Sequence, residues 1–167
     1  MTGAFRGLPN LVQINLHNNQ IAVMDCFSEC TQLRKLYLEH NRISRLDGLQ
    51  SCTRLEELYL GDQQIGRVEF TFDEYSLAAI SNTLEILDLP SVNLVNCKPL
   101  YFCENLITLN LNDNGIEDFE QEIAPMLMTL VRLTNLSLLR NPVIRLTPKF
   151  RDQVVSYTQP QFVELNG

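Results

Sequence analysis

The sequence predicts an α/β fold, a right-handed solenoid of six repeats closed by a C-terminal cap. Three observations favour this fold: an apolar pattern recurs in six segments, the segments are almost evenly spaced, and most of them end in asparagine. In each segment leucine or isoleucine fills the first, fourth and sixth places. The segments are LVQINLHNN from Leu11, LRKLYLEHN from Leu33, LEELYLGDQ from Leu55, LEILDLPSV from Leu84, LITLNLNDN from Leu106 and LTNLSLLRN from Leu133.

This pattern and its spacing are those of a leucine-rich repeat. The first leucines, at 11, 33, 55, 84, 106 and 133, are 22, 22, 29, 22 and 27 residues apart. Such a period holds one short strand and one helical turn, so parallel strands should line a concave face and helical turns should cover the convex face. At the ninth place a stacked asparagine can satisfy backbone groups where the strand ends. Four segments have it: Asn19, Asn41, Asn114 and Asn141.

A second apolar column lies thirteen places beyond each first leucine and is expected to point into the core. It comprises Met24, Leu46, Val68, Cys97, Phe119 and Leu146. Val68 also lies in GRVEF, where Arg67, Val68 and Phe70 match the Arg-Val-x-Phe docking peptide by which many regulatory subunits grip protein phosphatase 1. A docking valine must reach an external pocket. The repeat phase favours a buried Val68, and a docking peptide is the alternative interpretation of this segment.

The two longer periods, of 29 and 27 residues, are expected to carry helices on the convex face. In FTFDEYSLAAISNTL, Asp73 is a candidate N-cap, and Phe72 and Leu77 can form a hydrophobic staple around it. In EDFEQEIAPMLMTLVRL, Pro125 should begin or kink a helical segment.

The repeat array is expected to span residues 1–140 and the cap residues 141–167. The opening TGAFRGLPN aligns with the second half of a repeat, so the array is expected to begin in mid-repeat. Beyond Asn141 the pattern stops, and apolar residues such as Phe150 and Phe162 can close the last coil while polar ones face outward.

Composition indicates a globular chain with a protein partner. The hydrophobic share of 45% suits a packed core, and the formal net charge of −7 disfavours direct binding to nucleic acid or to an anionic membrane. A basic partner surface is favoured instead. The sequence has neither a secretory h-region nor an 18-residue apolar run, which predicts a cytoplasmic protein.

Cysteine and histidine are expected to be structural or solvent-facing. Three of the five cysteines fill the core slot three places before a first leucine, and an odd total fits a reducing compartment. His17 and His40 should lie near one another at the concave rim, where Glu39 could join them as metal ligands. Three such ligands make a weak metal site, so we predict no metal and no cofactor. No nucleophile elbow or phosphate loop is present in the sequence, which predicts no catalysis.

The outward positions of the strands are the candidate binding site. Equivalent places in neighbouring parallel strands lie about 5 Å apart, so tyrosines and carboxylates of successive segments should form one patch. A solvated sheet face is the alternative interpretation, because strands favour tyrosine. The predicted patch comprises Tyr37, Tyr59, Glu39, Glu57 and Asp62, with His17 and His40 at its rim.

The chain resembles the SDS22-type leucine-rich-repeat proteins. The segments that carry the resemblance are LRKLYLEHNRIS, LEELYLG, FDEYSLAAISNTLEILDL and RNPVIRLTPKFRD, in that order. The resemblance implies a noncatalytic scaffold or regulatory subunit of protein phosphatase 1 that holds the catalytic subunit on its concave face. It also leaves open a ciliary or microtubule adaptor similar to axonemal dynein light chain 1, which would bind a cytoskeletal motor, and a spliceosomal U2 A′-like protein.

These resemblances set the remaining expectations. We expect a monomer in the cytoplasm, and the adaptor alternative implies the centrosome, microtubules or a cilium as its location.

Overall fold

Short strands recur along the chain at the period of the sequence segments in this computed structural model, which describes residues 5–166. In chain order they are β1 (Gln13–Asn15), β2 (Lys35–Tyr37), β3 (Arg45–Leu46), β4 (Glu57–Tyr59), β5 (Thr71–Phe72), β6 (Ile86–Asp88), β7 (Thr108–Asn110), β8 (Asn135–Ser137) and β9 (Glu164–Asn166).

The larger sheet is parallel and follows the order of the repeats. Within residues 5–166 it contains seven strands in the order β1-β2-β4-β6-β7-β8-β9. The register aligns equivalent places: Leu36 lies beside Ile14 on one side and Leu58 on the other, and all three are buried. The residues on either side of each buried one point away from the core, because side chains alternate along a strand. The predicted parallel sheet is therefore confirmed.

The seventh strand of this sheet lies beyond the last sequence segment. Leu165 of β9 pairs with Leu136 of β8, so the chain adds one more strand after the leucine pattern has ended. Two helices precede it, α3 (Pro142–Leu146) and α4 (Phe150–Tyr157), and Phe150 and Val154 of α4 are buried.

Helical segments cover the convex side of the third, fourth and fifth repeats. They are α1 (Glu74–Ile80), a 3₁₀ helix (Lys98–Phe102), a π-helical turn (Phe119–Ile123) and α2 (Ala124–Thr129). Asp73 caps α1 as predicted, since its carboxylate accepts a hydrogen bond of 2.9 Å from the backbone N–H of Ser76. Pro125 lies in the first turn of α2, as its missing N–H requires. None of the helices within the described range is long and apolar enough to cross a membrane.

The ninth-place side chains form a buried ladder along the strand ends. The amide of Asn41 donates to the carbonyls of Leu38 (2.8 Å) and Leu16 (3.0 Å), and its oxygen accepts from the N–H of Ile21 (3.0 Å). Asn114 and Asn141 make the same types of bond. The predicted role of asparagine is confirmed, because these three side chains join their own turn to the preceding repeat, whereas the exposed Asn19 donates only to carbonyls of its own turn.

The eighth place of every repeat turns the chain away from the strand. Its residue adopts a positive φ between 55° and 59°, although none of the six is glycine. These residues are Asn18, His40, Asp62, Ser91, Asp113 and Arg140.

The second apolar column is only partly buried. Met24, Leu46, Cys97 and Phe119 lie in the core, but Val68 is 55% exposed and Leu146 is 62% exposed. The prediction that these two residues are buried is wrong. Leu46 pairs with Phe72 of β5, so Val68 falls in the loop ahead of that strand. Leu146 ends α3, where the repeat period no longer applies.

Candidate functional site

Two tyrosines lie side by side on the concave face. Tyr37 of β2 and Tyr59 of β4 are register partners, and their rings stack with centroids 4.8 Å apart and planes 5° apart. Both rings are half-buried. The stacked pair forms a flat apolar surface with polar hydroxyl groups, which is a common feature of protein-binding sites.

Glu57 fixes one side of this pair. Its carboxylate forms an ion pair with Lys35 at 2.7 Å and accepts a hydrogen bond from the Tyr59 hydroxyl at 3.2 Å. Burial, followed by the nearby Glu57 carboxylate, raises the pKa of Tyr59 to about 12. The hydroxyl therefore remains protonated at neutral pH and can donate to Glu57.

Three carboxylates meet beside the tyrosines in a concave pocket of about 470 Å³. Glu39, Asp62 and Asp88 all line it. Asp88 accepts a hydrogen bond of 2.7 Å from Asn110, yet burial and then the charges of Glu39 and Asp62 raise the pKa of its carboxyl above the ordinary value. Each carboxylate thus makes it less favourable for Asp88 to be ionised.

One oxygen of Glu39 lacks a hydrogen bond. This oxygen, Oε2, is buried and accepts none from the residues that the structure describes. A buried acceptor left unpaired costs roughly 1–3 kcal/mol. A cationic group placed in the pocket would remove this cost and would also lower the repulsion that Asp88 experiences.

The two histidines lie on the wall of the same pocket. His17 and His40 both line it, as the sequence predicted for the concave rim. The His17 ring is hydrogen bonded to the Asn15 side chain, and His40 Nε2 is 3.9 Å from Asp62 Oδ2. Among residues 5–166 no group of three or more histidine, cysteine or acidic side chains has the arrangement of a metal site.

The predicted patch residues are thus brought together, and Asp88 joins them. Asp88 is at the fifth place of its segment, as the two tyrosines are of theirs, but the patch predicted from sequence did not include it. Its position beside Tyr59 in the fifth place was the available signal. We refer below to Tyr37, Tyr59, Glu39, Glu57, Asp62 and Asp88 as the concave patch.

The segment that resembles a docking peptide lies apart from this patch. Arg67 and Val68 are exposed in a loop that begins at Gly66 with φ +64°, and Asn93 donates hydrogen bonds to both of their carbonyls. Phe70, in contrast, is 1% exposed. Docking through Val68 and Phe70 together would require Phe70 to leave the core.

The other half of the concave face satisfies its own polar groups. Ser137 donates to the side-chain oxygen of Asn112 at 2.7 Å, and the backbone N–H of Asn112 donates to the side-chain oxygen of Asn110. Arg140 forms an ion pair with Asp113 at its edge. These groups gain less from a partner than the concave patch does.

The five cysteines contribute to the core. All are free and buried, and burial raises the pKa of each thiol, to about 12 for Cys52 and Cys103. Protonated, inaccessible thiols are poor nucleophiles and poor metal ligands.

Comparisons with known proteins agree with this architecture. A family described as leucine rich repeat matches residues 2–43, and one described as two copies of leucine rich repeats matches residues 31–71. The chain is similar to the crystal structure of an internalin from Listeria monocytogenes, with a TM-score of 0.63 and 19% identity over 96% of this chain. It spans 48% of that chain, and at this identity the likeness shows the fold alone. No curated protein matches the chain significantly.

Three findings now bear on identity: the family matches over residues 2–71, the parallel strands held in register as far as Asn166, and the ladder of ninth-place side chains. Together they show that the chain has a leucine-rich-repeat fold.

Proposed function

We propose that the chain is a noncatalytic scaffold that holds a basic surface of a protein partner on its concave face. Leucine-rich-repeat solenoids generally bind proteins on their extended concave surfaces. The observation that carries the proposal is the concave patch itself, in which a stacked tyrosine pair borders an acidic pocket with an unpaired Glu39 oxygen.

The chemistry of the patch suits an arginine or lysine side chain. A guanidinium could donate two hydrogen bonds to Glu39 or Asp62 while its plane packs beside the Tyr37 ring. The aromatic pair would supply the apolar contact area around this charged contact. Glu57 is already paired with Lys35, so its part is to hold Tyr59 in place.

The leading candidate partner is the catalytic subunit of protein phosphatase 1. Support comes from the sequence resemblance to SDS22-type proteins such as regulatory subunit 42 of this phosphatase. In that role the chain would restrict where the phosphatase acts, in the cytoplasm or at the centrosome, microtubules or a cilium. Binding would use the concave patch rather than Arg67, Val68 and Phe70, because Phe70 is buried.

Calorimetric titration with the purified phosphatase catalytic subunit tests this proposal. Replacing both stacked tyrosines (Tyr37→Ala with Tyr59→Ala) should weaken binding by more than about 1 kcal/mol, roughly fivefold in Kd, if they are hot spots. Tyr75→Ala is a matched control, because Tyr75 is an exposed tyrosine outside the patch. Each variant is first checked for native structure by circular dichroism.

The outcomes separate the candidate functions. Unchanged affinity in the folded two-tyrosine variant would contradict the concave site, whereas a wild-type chain that does not bind the phosphatase would remove that partner. In the second case, co-sedimentation with microtubules or a motor fragment would favour the adaptor function. Capture of an RNA-binding domain would favour the U2 A′-like function.

A further inference from the structure

A groove on the convex side results from the extra residues of the third repeat. That repeat carries the seven-residue helix α1, and the next repeat carries only the short 3₁₀ helix Lys98–Phe102. The space between the two helices is a cavity of about 790 Å³, which lies on the opposite side of the sheet from the concave patch. Its volume falls within the range of about 300–1,000 Å³ that ligand pockets occupy.

The walls of this groove expose large apolar groups. Tyr75 of α1 is 69% exposed and Phe102 of the 3₁₀ helix is 73% exposed, and both line the groove. They are the exposed aromatic residues of the described chain. Phe72, Leu77 and other apolar side chains form its floor. Aromatic side chains are usually buried, so two exposed ones on facing walls indicate an interaction surface.

Opposite charges stand on the two walls. Glu74 lies at the start of α1 and Lys98 at the start of the 3₁₀ helix, and both are exposed and line the groove. Neither side chain has an ion-pair partner within residues 5–166, and they are not paired with each other. An occupant that carries one charge of each sign would therefore complement the groove.

The size of the groove favours a short segment. Seven α-helical residues and five 3₁₀ residues are each about 10 Å long, so the walls accommodate only a few residues of a partner. A stable dimer buries roughly 800 Å² on each partner, much more than a groove of this length offers. We infer that the groove binds a short segment of a second protein partner, distinct from the one on the concave patch, that presents two apolar side chains. These side chains would be flanked by an acidic residue that meets Lys98 and a basic residue that meets Glu74.

Phage display provides the probe. A library of random dodecapeptides is selected on the full chain, after removal of phage that bind the variant Tyr75→Ala with Phe102→Ala. The selected peptides should carry two apolar residues flanked by opposite charges. A synthetic copy, measured by fluorescence anisotropy, should bind the groove variant at least about tenfold more weakly than the wild type. The variant Tyr37→Ala with Tyr59→Ala should bind it normally, because the concave patch lies on the other face.

A charge exchange tests the orientation. Lys98→Glu should weaken binding about fivefold, and a peptide whose acidic residue is replaced by lysine should recover it. Three results would overturn the inference. They are the failure to select any peptide that binds the wild type better than the groove variant, selected peptides that lack the charged flanks, and a synthetic peptide that binds the wild type and the groove variant equally well. Sedimentation equilibrium that shows a wild-type dimer dissolved by Phe102→Ala would also overturn it, because the occupant would then be a second copy.

Discussion

Asn114→Ala should remove a large part of the stability of the solenoid. The Asn114 side chain is buried, and its amide donates to the carbonyls of Leu89 (2.8 Å) and Leu111 (3.0 Å). Its oxygen accepts from the backbone N–H groups of Val92 (3.2 Å) and Leu94 (2.9 Å). Both of those residues are fully buried, so water cannot easily replace the lost acceptor.

The expected loss follows from the groups left unpaired. A buried donor without a partner costs roughly 1–3 kcal/mol, and the substitution leaves two such N–H groups. We therefore expect the free energy of unfolding to fall by about 3–5 kcal/mol, a large share of the roughly 5–15 kcal/mol that a domain possesses. Adjacent repeats stabilise one another, so the loss should lower the transition of the whole array.

Urea unfolding followed by far-ultraviolet circular dichroism measures this loss. Asn19→Ala is the matched control: its amide donates to the carbonyls of Leu16 and His17, but the side chain is exposed, and we expect a loss below about 1 kcal/mol. If Asn114→Ala proves no more destabilising than Asn19→Ala, the ladder does not stabilise the array in the way proposed here.

Other predictions test single features. Phe70→Ala should cost about 3–5 kcal/mol in urea unfolding and Val68→Ala less than about 0.5 kcal/mol; equal losses would contradict the loop position of Val68. Asp88→Asn should stabilise the fold at neutral pH, because burial and neighbouring carboxylates raise the pKa of Asp88, so stability is lost as pH rises through that value. The difference in stability between this variant and the wild type should disappear below about pH 4, where wild-type Asp88 is protonated too. The same variant should bind a basic partner more weakly. Asp73→Ala should lower the urea midpoint at neutral pH but not in acid, since a backbone hydrogen bond lowers the pKa of Asp73 and its stabilisation disappears as pH falls. Iodoacetamide should label Cys97 and the other buried thiols of the native chain only after unfolding, and rapid labelling would contradict their burial.

The repeated features could be predicted from sequence because each is determined locally. An apolar residue between two outward-facing ones fixes a strand position, and a shared period aligns the strands. The stacking of Tyr37 on Tyr59 follows from this register. The cap by Asp73 follows from residues within one turn of α1. The repeat pattern thus gave the concave patch in outline.

The exceptions depend on where the insertion enters the third repeat. Counting from Leu55 put Val68 in the core, but the chain leaves the period before β5 and buries Phe70 instead. The same departure explains why the fourth repeat can have Val92 at the ninth place. An asparagine there would accept a hydrogen bond from the N–H of Ile65, but this N–H already donates to the carbonyl of Gln63 at 2.9 Å.

Two further features were beyond the sequence pattern. Gln63 occupies the ninth place of the third repeat and bonds as the asparagines do, with its amide on Leu38 and its oxygen on Ile43. The longer glutamine side chain thus satisfies the same kinds of backbone group as asparagine does in the other repeats. The convex groove depends on the unequal lengths of two neighbouring helices, which spacing alone did not define.

Hydroxyl-radical footprinting of the chain with and without the phosphatase catalytic subunit tests concave binding most directly. Tyrosine side chains react according to their exposure, and the chain carries tyrosines on both faces. We expect oxidation of Tyr37 and Tyr59 to fall severalfold in the complex while Tyr75 is unchanged. Unchanged oxidation of Tyr37 and Tyr59, or protection of Tyr75 alone, would contradict a binding site on the concave face.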